Sequence, residues 1–292
     1  MSQTAWAGLF AVFIWWFSTG IVLLLNGMQR RSYRWSLLIS STLGLVALYA
    51  LAHTARQTGT AAVYCAFTSA LLVWGWHELS FLTGWITGPR TTAIPASLKG
   101  WPRFVQAVRA ILWHELAILA VGVLIVAVTW GAPNQVGTWT FLVLWSMRTS
   151  AKLNLFLGVR NLSEEFLPPH LAYMESFFRR RAMNLLFPFC IVASSAVLAL
   201  MVLHAMEAST PASEVLGLTL VGTMLALAIL EHGMLVMPVS TTALWRWAMS
   251  KRKTPGPTLG AIQGAPSHHK NALRAEAAPL PLDTDDKLLH AR

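Results

Sequence analysis

Residues 107–130 read AVRAILWHELAILAVGVLIVAVTW, and this stretch decides the fold class. It is long enough to cross a bilayer, which takes about twenty predominantly apolar residues, and from Leu116 to Val128 it carries no charge. Blocks of similar length recur at roughly 5–25, 35–53, 61–83, 138–160, 184–205 and 214–247. The sequence therefore predicts an all-α, polytopic membrane bundle of seven transmembrane helices. Composition agrees. Of 292 residues, 55% are apolar and only 12% charged, where a soluble domain carries about 25% charged residues. A mean hydropathy of +0.54 excludes a soluble enzyme, a secreted disulfide scaffold and a disordered chain. The first block follows a start without Lys or Arg, so it reads as a retained first span and not as a cleaved signal.

Charge orients the bundle. Arg30, Arg31 and Arg34 follow the first block, and Arg90, Lys99, Arg103 and Arg109 separate the third from the fourth. Arg160 and Arg179–Arg181 follow the fifth, and Arg246, Lys251, Arg252 and Lys253 the seventh. The alternate loops hold only Arg56, nothing over Gly131–Gly137, and the acidic Glu207 and Glu214. Positive charge thus marks every second loop as cytoplasmic, giving an N-terminus outside and a C-terminus inside. The net charge of +10 is explained by these loops without a nucleic-acid partner. Cys65 and Cys190 fall inside predicted spans and read as small buried hydrophobes.

Residues 1–250 form the expected transmembrane domain. Residues 251–292, rich in Pro, Gly, Ala and charge, read as a disordered cytoplasmic tail. In the loop 161–183, Pro168-Pro169 opens a segment with an apolar stripe of Leu171, Met174, Phe177 and Phe178, expected to be an amphipathic helix on the inner membrane surface.

Ionisable residues inside spans are costly and mark function or tight pairing. Three intramembrane Glu each adjoin a His: His77-Glu78, His114-Glu115 and Glu231-His232. With a rise of about 1.5 Å per residue, all three pairs fall in the inner half of the bilayer, level with Lys152 and Asn154. Two of them repeat one motif, WHELSFL from Trp76 and WHELAIL from Trp113. Convergence of these spans would gather three imidazoles and three carboxylates, a set suited to Zn or Fe. Neighbours on a helix point about 100° apart, so each pair aims at most one ligand well. The same residues also serve as internal glue, with carboxylates neutralising Arg148 and Lys152. Complete catalytic signatures are missing, since Phe81 and Ile118 stand where HExxH requires His.

Three segments carry a resemblance: Trp76–Arg90 (WHELSFLTGWITGPR), Ser150–Phe178 (SAKLNLFLGVRNLSEEFLPPHLAYMESFF) and Leu230–Pro238 (LEHGMLVMP). Together they resemble the PuhE-type family of photosynthetic complex assembly proteins of purple phototrophic bacteria. The resemblance implies a multi-pass protein of the bacterial inner (cytoplasmic or intracytoplasmic) membrane. It implies a role in bacteriochlorophyll supply and in assembly of the reaction centre with its core antenna, without turnover of its own. The partners it implies are reaction-centre or core-antenna subunits, or pigment-synthesis enzymes, besides the lipid bilayer. On this reading His77, His114 or His232 is available as an axial ligand to a tetrapyrrole metal, and Arg148, Lys152, Asn154, Arg160, Asn161 and Arg179–Arg181 are supporting polar groups. The alternative is an intramembrane metalloenzyme acting on a bacteriochlorophyll precursor or another hydrophobic substrate, with ligands among His77, Glu78, His114, Glu115, Glu231 and His232.

Overall fold

The computed structural model describes residues 2–162, 164–237 and 244–249. Among them are seven long helices: α1 (Gln3–Asn26), α2 (Tyr33–Thr54), α3 (Thr60–Leu82), α4 (Gly100–Thr129), α5 (Val136–Leu157), α6 (Leu186–Ala205) and α7 (Ala212–Met234). Five of them, α1, α2, α4, α6 and α7, are long and apolar enough to cross a membrane. The expected tail over 251–292 lies outside the described residues.

Local chemistry sets the helix ends. Ser2 Oγ accepts the Ala5 N–H to start α1, as N-cap serines do. Asn134 Oδ1 accepts the Val136 N–H at the start of α5, and Asn184 Oδ1 accepts the N–H groups of Leu186 and Phe187 at the start of α6. Gly158 ends α5 at φ 123°, a conformation open to glycine. Gly84, at φ 80°, follows the end of α3.

Successive helices alternate in direction. On α1 and α7, Ala7 packs with Leu216 and Leu220 while Trp15 meets Glu231, so those two are parallel. On α3 and α4, Ala70, Val73 and Trp74 share a cluster with Ile118 and Ile125 while His77 meets His114, so those two are antiparallel. The alternation carries the loops holding Arg30–Arg34, Arg90–Lys99 and Arg179–Arg181 to one end of the bundle, the basic end.

Helix α3 sits at the centre. Fourteen of its residues are buried, and besides the cluster at its end around Phe81 and Leu82 it contributes to two larger apolar clusters. One, with α1 and α7, is built on Ala7, Ala11, Phe67, Leu220 and Met224. The other, with α2, α4 and α5, is built on Ala47, Leu51, Trp74, Ile118 and Phe141. Lipid is as apolar as Leu, so these contacts gain from close van der Waals packing and less from expulsion of water. Small residues make that approach possible. A Cβ on Gly137 would stand 2.9 Å from Leu51 Cδ1.

The structure revises several expected segments. The seventh helix ends at Met234, not near residue 247, because Asn161 takes over its terminal carbonyls. The Asn161 backbone N–H donates to Leu235 O at 2.9 Å, and its Nδ2 donates to the carbonyls of Met234 and Met237. The expected amphipathic helix in 161–183 is a 3₁₀ helix over Pro169–Phe177. Its stripe of Leu171, Met174 and Phe177 repeats every three residues, the 3₁₀ period, and it is buried. Leu171 and Met174 pack on Phe81 and Leu82 of α3 and on Ile111 of α4. The stripe thus plugs the basic end of the helix bundle instead of facing outward.

Candidate functional site

The repeated WHEL motif arrives from opposite directions on α3 and α4, and its two histidines meet. The rings of His77 and His114 lie 6.4 Å apart at 76°, with 0% and 1% of the residues exposed. Aromatic rings enclose them: Trp76 at 4.9 Å and Phe141 at 6.0 Å from His77, and Phe81 at 4.5 Å from His114. Phe81 also belongs to the apolar plug, so the histidines are shut off from the basic end of the bundle.

The loop after α3 fixes the register of this meeting. The His114 backbone N–H donates to Thr87 O at 2.9 Å. Gly88 lies against the α4 backbone so closely that a Cβ there would stand 2.1 Å from Arg109 O. Arg90 Nη1 then donates to Gln106 Oε1 at 3.0 Å. The segment Thr87–Arg90 is therefore bound along α4, one turn ahead of His114-Glu115.

Each carboxylate turns about 100° away from its imidazole and finds α5. Arg148 Nη2 donates to Glu78 Oε2 at 2.9 Å, and Lys152 Nζ donates to Glu115 Oε1 at 2.6 Å. Arg148 and Lys152 are one turn apart on one helix face, so α5 neutralises both motifs at once. Arg148 also lies within electrostatic reach of Glu231 and Glu115. Glu231 Oε1 accepts the Trp15 indole N–H at 3.1 Å, which ties α7 to α1. Three carboxylates and two cations thus lie within electrostatic reach of one another, with Arg148 and Glu231 exposed at the edge, and the shorter of the two ion pairs is Lys152–Glu115.

Buried polar groups in folded proteins nearly always have partners. Among the described residues, seven buried side-chain nitrogen or oxygen atoms have no hydrogen-bond partner within the protein. Six of them belong to this interface: Nδ1 and Nε2 of His77, Nδ1 of His114, Oε1 of Glu78, Nε1 of Trp145 and Oγ1 of Thr149. The seventh is the Tyr173 hydroxyl, which has Thr87 beside it. Trp145, Arg148, Thr149 and Lys152 follow i, i+3, i+4, i+7 spacing and form one stripe of α5 facing α3 and α4. The interface therefore offers a concentrated set of donors and acceptors that the described residues do not consume.

Not every expected residue joins it. His232 and Asn154 serve the opposite face of α5, about 200° from Arg148 and Lys152. There His232 Nε2 lies 2.9 Å from Ser150 Oγ, and Asn154 Nδ2 donates to Ser150 O at 2.9 Å. Arg160 is exposed outside the cluster, and Asn161 caps α7. Trp15, Trp145, Thr149 and the Thr87–Gly88 turn belong to the site without having been singled out from sequence. Only the α5 stripe had a readable signal, its helical spacing with Arg148 and Lys152. Among the described residues, no three of His, Cys, Asp and Glu come together as a group able to hold a metal ion. The adjacency of each His and Glu explains this, because one helix turns the two away from each other.

Comparison with known proteins places the chain. A curated relative from Rhodobacter capsulatus, described as an uncharacterized 30.4 kDa protein in the puhA 5′ region, is 36% identical over 252 residues, covering 85% of this chain and 92% of the relative. No solved structure matches. A family model described as "Protein of unknown function (DUF3623)" matches residues 1–256, a span that takes in all seven helices and the polar interface of α3, α4 and α5, and the chain belongs to that family.

Proposed function

We propose that this protein is a PuhE-type integral membrane factor in photosynthetic complex assembly. It crosses the bacterial inner membrane seven times with its N-terminus outside, and it serves bacteriochlorophyll supply to the reaction centre and core antenna. The relative's place in a puhA region supports the process. The observation that carries the reading is the set of unpartnered polar atoms around His77 and His114. It lies in the inner half of the bilayer, sealed by Phe81, Leu171 and Met174 from the basic end.

The donor set suits a hydrophobic ligand with a few polar groups, and the rings of Trp76, Phe81 and Phe141 packed on His77 and His114 would have to part to admit it. His77 or His114 would take the central metal of a tetrapyrrole, and Arg148, Trp145 and Thr149 would hold its oxygen substituents. Bound there, such a pigment would supply light absorption and not chemistry. The chain's own contribution is a preformed and charge-balanced polar patch inside an apolar bundle. The metalloenzyme alternative calls for three converging ligands, and no such group exists among the described residues.

Deletion of the gene, followed by absorption spectra of membranes and chromatography of extracted pigments, tests the proposal. Assembled reaction centre and core antenna should fall while bacteriochlorophyll itself is still completed. Accumulation of one biosynthetic precursor would overturn it in favour of an enzymatic step.

A further inference from the structure

The opposite face of α5 carries a second constellation that the assembly reading does not use. Five other serines on these helices, Ser18, Ser40, Ser80, Ser146 and Ser194, donate to a carbonyl of their own helix one turn back, the usual way a helical serine satisfies itself. Ser150 instead lies 2.9 Å from Nε2 of His232 on α7. His232 Nδ1 lies 2.9 Å from the Ala228 carbonyl. A carbonyl only accepts, so Nδ1 carries the proton, Nε2 is the lone-pair nitrogen, and the Ser150 hydroxyl donates to it. This is the relation of a serine nucleophile to its general base, with a backbone carbonyl as the orienting group.

A third side chain completes the geometry. Asn154 is 0% exposed, and its Nδ2 is 3.5 Å from Ser150 Oγ. Asn184 Nδ2 donates to Asn154 Oδ1 at 2.9 Å, which fixes the amide with its N–H groups on the Ser150 side. One of the two N–H groups is engaged by Ser150 O at 2.9 Å. The other has only long contacts, to Ser150 Oγ and to Cys190 Sγ at 3.7 Å, and lies beside the serine oxygen, where a donor can meet the charge that develops on a carbonyl oxygen under attack. Helix α6 is the least buried of the seven, with only Phe187 and Ser194 buried. It touches α5 near Asn184 and Cys190. Ser150, half-buried, stands one turn before Asn154, which meets Asn184 and Cys190 at the seam between α5 and α6.

We propose that Ser150, His232 and Asn154 form an ester-cleaving site for a carboxylic ester with a long apolar chain, presented from the lipid. Ser150 Oγ adds to the ester carbonyl carbon as its proton passes to His232 Nε2, and the Asn154 amide donates to the resulting oxyanion. Collapse expels the alkoxide, which takes the proton from His232 Nε2, leaving an acyl group on Ser150. Water then adds to that acyl carbon, giving its proton to the same nitrogen, and the carboxylic acid departs as Ser150 regains its proton. Asn184 is a positioning residue, acting through the orientation of Asn154. The site shares no residue with the His77–His114 patch, so either reading stands or falls alone.

The test uses the full-length protein in lipid nanodiscs with an alkyl fluorophosphonate and, separately, p-nitrophenyl laurate. Mass spectrometry should find the phosphonyl adduct on Ser150. The Ser150→Ala variant should lose both adduct and turnover, and His232→Gln should slow both by at least about 100-fold, the contribution of a general base. A second measurement is independent of substrate: the thiol introduced by Ser150→Cys should be alkylated by iodoacetamide at least about tenfold faster than in the Ser150→Cys/His232→Gln double variant, as a base-activated thiol requires. An unlabelled Ser150 in a folded wild-type protein, or equal alkylation rates in the two thiol variants, overturns the proposal.

Discussion

Replacing Glu115 by Ala tests the electrostatic logic of the interior. The Lys152–Glu115 contact is 2.6 Å long, and the two side chains keep only 20% and 25% of their surface accessible. Without Glu115 the ammonium of Lys152 is left within a span, where an unpaired Lys costs about 3 kcal/mol. Removing one partner of a buried pair costs a similar ~3–5 kcal/mol, and residual exposure argues for the low end. The single variants Glu115→Ala and Lys152→Met should each lose about 3 kcal/mol, a fall of roughly 6–12 °C in Tm for a chain of this size. The double variant removes both charges and should return to within about 1 kcal/mol of the wild type. Thermal unfolding in detergent, followed by near-ultraviolet circular dichroism of the tryptophans, measures all four proteins. If the double variant melts as low as the sum of the two single losses, the pair is not what balances these charges. Glu78→Ala should cost less than Glu115→Ala, because Arg148 keeps 46% of its side chain accessible and has Glu231 within reach.

Four further outcomes follow from the same geometry. His77→Leu removes two ring nitrogens, and His114→Leu one (Nδ1), that no group among the described residues satisfies, so each should change stability by less than about 1.5 kcal/mol, as volume-conserving core changes do, yet fail to restore complex assembly in a deletion strain. Gly88→Ala places a methyl 2.1 Å from Arg109 O, so it should push the Thr87–Arg90 turn off α4, lower the Tm and speed hydrogen exchange at the His114 amide. Glu231→Gln keeps an acceptor for the Trp15 indole and should melt higher than Glu231→Ala in the same assay. Glu207→Ala and Glu214→Ala remove partners of an exposed His204 at the opposite end of the bundle and should leave both the Tm and complex assembly unchanged.

The sequence spoke most clearly where one physical signal acted alone. Apolar length located all seven long helices, and the adjacency of His77-Glu78 and His114-Glu115 pointed to an interior polar interface. The signal failed where tertiary contacts decide. The seventh helix stops at Met234 because Asn161, 73 residues away, accepts the duty of capping it, and no local pattern announces such a partner. The stripe of Leu171, Met174 and Phe177 carried a period of three, but an apolar stripe beside a membrane does not say whether lipid or Phe81 covers it. Grouping Glu231-His232 with the two WHEL motifs relied on equal depth. Depth places residues along the helix axis, whereas the side of α5 that each residue meets depends on rotation about that axis, which hydropathy does not encode.

That rotation explains why α5 is both short of apolarity and central to the site. Helix α6 has the highest mean hydropathy of the candidate spans and the smallest buried share, as expected of a helix whose surroundings are lipid. Helices α3 and α5 are absent from the set apolar enough to cross alone, and both are lined by other helices. Enclosure removes the requirement to be apolar and replaces it with a requirement to be matched. Helix α5 meets it with Arg148 and Lys152 against two carboxylates on one side and Ser150 and Asn154 against His232 and Asn184 on the other. A helix placed at the rim could not carry these groups. One placed at the centre can, provided each neighbour supplies the complement, and α3, α4, α6 and α7 each do so through a named side chain: Glu78, Glu115, Asn184 just ahead of α6, and His232. The groups around His77 and His114 that remain unmatched among the described residues after this pairing are the ones a ligand of the proposed kind would meet.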